Sequence, residues 1–165
     1  MKQLTALTAL AFLALSACGK QEPTPPATTS PGGPVGARPE KLPNGEPSVI
    51  TVKHVLIAFE GAQRSDQKRT KAEAQKLAYE ILGRAKSGED FDKLMKEFSN
   101  DPGGGTYTLV NNGVTADQAA GEFDRSGMVP AFGDVGFRIS LNEVALAEHD
   151  DKTSPFGWHV IKRVK

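Results

Sequence analysis

The side chains of this 165-residue chain best suited to chemistry are few: His54, His149 and His159, the lone cysteine Cys18, Asp101 in a turn ahead of Pro102, and the hydroxyls of Thr153 and Ser154. His54 sits in a β-branched run where Ile50, Val52 and Leu56 share its face by the two-residue period of a strand. On that ground alone it reads either as a satisfied core imidazole or as a fixed hydrogen-bonding group. His149 lies in a polar turn and reads as solvated. Three histidines and one cysteine at these spacings supply no ligand set for a metal, and a single cysteine excludes a disulfide within the chain. Met128, Phe132 and Phe137 cluster around a short helical pattern, and spacing alone assigns them to a core as readily as to a pocket. Twenty basic and twenty acidic residues, with no long run of either sign, exclude an electrostatic footprint for nucleic acid.

The elements that must position these groups follow from local pattern. Val49 to Ala58 predicts a strand. Thr70-Lys71-Ala72-Glu73 is a capping box, and Ala74, Leu77, Ala78, Ile81, Leu82 and Ala85 repeat at helical spacing up to Gly88. A second helix carries Phe91, Leu94, Met95 and Phe98 on one stripe and stops before Asn100-Asp101-Pro102 and three glycines. Thr106 to Val110 predicts a strand, Asn111 to Ser126 a polar loop, and Pro130 the first residue of a short helix. Two further strands, Glu143 to Ala147 and Trp158 to Val164, flank a turn-rich segment. The order is β-α-α-β-α-β-β, an α+β domain over residues 49–165.

The remainder is organised differently. Lys2, an apolar run from Leu4 to Leu15 and Leu15-Ser16-Ala17-Cys18 predict a signal peptide over residues 1–17, too short to span a bilayer at roughly 20 residues. Residues 19–48 hold eight of the eleven prolines and few large apolar groups, so 18–48 reads as a disordered, partly extended linker.

Four segments resemble the parvulin (PpiC-like) family of peptidyl-prolyl cis-trans isomerases: His54-Val55-Leu56-Ile57, Phe91 through Asp101, Gly127-Met128-Val129-Pro130-Ala131-Phe132 through Phe137, and Phe156-Gly157-Trp158-His159-Val160-Ile161. The resemblance implies a four-stranded, mainly antiparallel sheet surrounded by helices, with a shallow groove that accelerates rotation about X-Pro bonds without metal or cofactor. It implies that His54 and His159 lie side by side in the groove floor, with Asp101 as an anion beside them. Ser154, or Thr153 if the turn is shifted, would supply a hydroxyl to the pair. Met128, Phe132 and Phe137 would form the proline pocket. The tetrapeptide ending at Cys18 resembles a lipobox, which implies acylation of Cys18. It also implies a monomeric domain anchored in the bacterial cell envelope, with the outer membrane favoured because Gly19 follows in place of aspartate.

The chain departs from the family pattern after Gly105. Thr106-Tyr107-Thr108-Leu109 replaces the usual acidic-apolar-glycine sequence, and either Tyr107 or Leu109 is expected to complete the pocket. The loop after the first strand mixes Arg64, Lys68 and Arg69 with Glu60 and Asp66 and reads as solvated rather than phosphate-selective. The expected partners are unfolded or extended proline-containing polypeptides. The expected function is isomerisation during folding of exported proteins, with a non-catalytic peptide-binding chaperone as the alternative.

Overall fold

The computed structural model describes residues 38–165. The expected signal peptide, Cys18 and the linker up to residue 37 lie outside these residues. Strand β1 (Val49–Ile57) is the hub of the fold. Its alternation feeds two cores. Ile50 and Val52 point to one face with Leu109, Phe132, Val135 and Ile161, while Val55 and Ile57 point to the other with Ala78, Ile81, Leu94 and Trp158. Helices α1 (Lys71–Lys86) and α2 (Phe91–Phe98) cover the second face, and α3 (Pro130–Arg138) covers the first. Local chemistry sets their ends. Thr70 and Glu73 form a reciprocal capping box on α1, the Asp90 carboxylate accepts from the amides of Asp92 and Lys93 to open α2, and Pro130 occupies the first turn of α3.

The sheet is completed by β2 (Thr106–Val110), β3 (Glu122–Asp124), β4 (Val144–Ala147) and β5 (Trp158–Arg163), in the order β3-β2-β1-β5-β4. All pairings are antiparallel except β2 with β3. The sheet therefore has five strands where four were expected. β3 is three residues long with no apolar alternation, and interactions distant in sequence hold it. Glu122 accepts from Arg38 at 2.7 Å and from the Asp117 amide at 2.7 Å, closing a turn that the Asp117 side chain caps at Ala119 and Ala120.

Residues 38–48 pack onto the domain ahead of the start expected at Val49. Ser48 is buried, and the Glu46 carboxylate accepts from Arg125 Nη1 at 3.0 Å and from Asn111 Nδ2 at 3.1 Å. Arg125 reaches on to Asp134 at 2.8 Å, so this corner is tied from three sides. Among the described residues no helix is long and apolar enough to cross a membrane.

Candidate active site

The register of β1 against β5 brings the two distant histidines together. Leu56 pairs with His159 and His54 with Ile161, so His54 and His159 are diagonal neighbours on one face of adjacent strands. Their Nδ1 atoms lie 3.1 Å apart, the rings are nearly parallel at 5.2 Å, and each residue is 4% exposed. On its far side His54 Nε2 meets Asp101 Oδ2 at 2.8 Å.

Asp101 is held by the loop between α2 and β2, which is itself bound to the end of β1. The Asn100 amide donates to the Leu56 carbonyl, Ser99 Oγ accepts from the Leu56 amide, and Asn100 Oδ1 accepts from the Ala58 amide and from Arg69 Nη1. Gly105 has φ +73°, and its amide donates to Asp101 Oδ2 while its carbonyl accepts from the His54 amide at 2.8 Å. A side chain there would press against the His54 carbonyl. Gly103 donates to Asp101 Oδ1 at 3.0 Å, and a Cβ on it would collide with the Tyr107 hydroxyl, which donates to Asp101 Oδ2 at 2.8 Å.

These bonds determine the protonation of the site. Burial, the largest single influence on Asp101, pushes its carboxyl up. The hydrogen bonds from His54, the Gly103 amide and the Tyr107 hydroxyl together outweigh it and hold the group well below the usual carboxylate range. Burial and then the hydrogen bond to the Asp101 carboxylate push the Tyr107 phenol up to about 12, so it remains a donor. Burial, reinforced by His54, pushes His159 down to about 3, so it is neutral at pH 7.

An ionised Asp101 only accepts, so His54 Nε2 carries a proton. One proton lies between the two Nδ1 atoms, 3.1 Å apart, and His159 Nε2 takes no part in that bond. That atom is buried without a hydrogen-bond partner.

The network opens onto a cavity of about 240 Å³. Tyr107, Met128, Val129, Phe132, Phe156 and the loop Gln63 to Gln67 line it. Phe132 lies edge-on to both imidazoles, with centroids 4.9 Å from His54 and 5.4 Å from His159. The cavity is below the roughly 300–1,000 Å³ of sites for drug-sized ligands and suits a small ring. No group of three or more potential metal ligands occurs among the described residues.

Residues 41–165 match the PPIC-type PPIase domain. The chain belongs to that family. Chaperone SurA of Pseudomonas aeruginosa is 32% identical over 143 residues, 84% of this chain and 29% of SurA. Foldase protein PrsA of Geobacillus kaustophilus is 33% identical over 88 residues, 53% of this chain and 27% of PrsA. The matched region is thus under a third of either relative's length. Peptidyl-prolyl isomerase ESS1 from Candida albicans shares the fold, with a TM-score of 0.57 at 21% identity over 74% of this chain and 69% of ESS1.

Within this PPIC-type domain the structure gathers His54, His159, Asp101, Tyr107, Met128 and Phe132 at one cavity. Other residues expected there are elsewhere. Phe137 is 2% exposed in the core beneath α3, its ring capped by the Arg125 guanidinium, because helical spacing turns it away from Phe132. Leu109 is two residues from Tyr107 along β2 but lies deeper, packed in the core, so of the two only Tyr107 lines the cavity. Ser154 Oγ donates to the Gly157 carbonyl at 2.9 Å and Thr153 bonds Asp150, so neither hydroxyl serves the histidines: both close their own turn. His149 is packed between Phe59 and Trp158 rather than solvated. The loop read as solvated forms a wall of the cavity, and its Arg69 reaches in to anchor Asn100. The role of that loop and of Val129 had no local signal, since it depends on which loops the fold places opposite each other.

Proposed function

We propose that this domain catalyses cis–trans rotation about the peptide bond preceding proline in extended or unfolded polypeptides. The observation that carries the reading is the Asp101–His54–His159 network opening directly onto an apolar cavity walled by Met128, Phe132 and Tyr107. Rotation about X-Pro is opposed by a barrier of ~18–20 kcal/mol because amide resonance makes the C–N bond partly double. No bond to the substrate need form. The pocket grips the pyrrolidine ring while the flanking chain turns.

Every oxygen of Asp101 already accepts hydrogen bonds, so it acts as a fixed negative charge rather than as a proton carrier. Beside the substrate carbonyl, such a charge disfavours the charge-separated resonance form of the planar amide. It thereby lowers the twisted state relative to the planar one. The histidine pair keeps Asp101 and Phe132 in place.

The names of the relatives, chaperone SurA and foldase protein PrsA, support a role in protein folding, and the export signal read over residues 1–17 points to exported proteins of the bacterial envelope as the clients. In this reading Cys18 is lipidated after removal of residues 1–17, the proline-rich segment gives reach, and the anchor lies in the outer membrane facing the periplasm. Metabolic labelling with a fatty acid should mark the full chain and be abolished by Cys18→Ser; labelling that survives the change contradicts the anchor. The function itself is tested on a refolding protein whose slow phase is limited by proline. Added full chain should shorten that phase, and an unchanged slow phase would refute catalysis. Suppressed aggregation without acceleration would favour the second reading, a peptide-holding chaperone, which the name of the SurA relative supports.

A further inference from the structure

The segment that departs from the family pattern builds a second hollow next to the first. It measures about 430 Å³ and is bounded by Gln118, Phe123, Asp124 and Met128, with Gly121 and Gly127 contributing no side chain. Met128 lines both hollows, which are therefore neighbours. Phe123 is one of the few large apolar side chains left exposed, at 46%.

The Phe123 position is fixed. β3 pairs Phe123 with Leu109 on β2, and Arg38 and the Asp117 amide both bind the carboxylate of the neighbouring Glu122. Its ring stands edge-on to Tyr107 at 5.6 Å, and Tyr107 in turn stands edge-on to Phe132 at 6.1 Å. An unbroken run of aromatic edges therefore leads from the histidine pair through Phe132 and Tyr107 to an exposed ring.

We propose that Phe123 is the platform of a second subsite, which takes a large apolar or aromatic side chain of the same polypeptide whose proline occupies the first hollow. The inference rests on the isomerase reading for the identity of the first occupant. Continuity through Met128 and Tyr107 selects the occupant. A chain leaving the proline cavity across Met128 passes directly over Phe123, and an exposed ring fixed by its backbone offers stacking at little ordering cost. The domain would thus prefer prolines flanked by an aromatic residue.

The test compares two proline peptides, identical except for phenylalanine or glycine at one flanking position, with that position scanned on both sides of the proline. Dissociation constants are measured for the full chain, Phe123→Ala and Phe123→Leu, and exchange spectroscopy on the same samples reads isomerisation separately. At one flanking position the parent should bind the phenylalanine peptide about fivefold more tightly or better. Phe123→Ala should abolish that ratio, and Phe123→Leu should retain part of it. A ratio near one in the parent at every position, or a ratio unchanged in Phe123→Ala, overturns the subsite. Absent isomerisation with an intact ratio would overturn the catalytic reading alone and leave the subsite standing.

Discussion

Asp101 accepts four hydrogen bonds, and three of them, from His54, Tyr107 and Gly105, converge on one oxygen. Tyr107→Phe removes one charge-assisted bond while keeping the pocket wall. It should cost about 1–2 kcal/mol in stability and lower activity only severalfold, as read by chemical denaturation beside a peptide isomerisation assay. His159 makes a separate prediction about pH. Unfolded, its imidazole titrates near 6.5; in the fold, burial and His54 delay protonation to about pH 3. Below pH 6.5 the unfolded chain therefore binds more protons, and stability falls as pH drops from about 6.5 toward 3. Asp101 acts in the same direction at lower pH, since its folded form resists protonation after the unfolded carboxylate has begun to titrate. Denaturant midpoints should be lower at pH 5 than at pH 7. His159→Gln should flatten that slope by up to about 1.4 kcal/mol per pH unit. An equal slope in the variant would place the titrating group elsewhere.

At the scale of elements, the glycine-rich turn after α2 is the device that puts a carboxylate against a strand. Gly105→Ala would force a side chain into positive φ and against the His54 carbonyl. A stability loss of about 1–3 kcal/mol is expected, together with an activity loss larger than unfolding at the assay temperature explains. Circular dichroism melts beside activity measurements separate the two. Elements with local signals were legible in the sequence: the Thr70–Glu73 box, the Pro130 start and the alternation of β1 all lie where their patterns place them. β3 was not, because it is held by Arg38 and Asp117 rather than by its own periodicity. The site divides in the same way. The meeting of the histidines follows from strand register, whereas Phe137 could be sorted from Phe132 only by knowing which side of α3 faces the cavity, and Leu109 from Tyr107 only by knowing how deep each lies.

For the whole molecule, the boundary of the folded unit carries its own consequence. Low apolar content made residues 38–48 resemble the rest of the spacer, yet Glu46 and Ser48 join the domain through polar contacts that hydrophobic patterning does not register. A chain beginning at residue 49 should melt several degrees below one beginning at residue 38, because Arg125 and the buried Asn111 lose an acceptor. Identical melting would show that the segment contributes nothing. The central claim concerns the cavity and its fixed charge, and exchange spectroscopy on a short proline peptide reads it most directly. Uncatalysed exchange takes tens to hundreds of seconds. The full chain should bring it below about a second at catalytic concentration, with Asp101→Asn and Met128→Ala each slowing it on the order of tenfold or more. Exchange at the uncatalysed rate with the parent, or undiminished rates in both variants, would contradict the account.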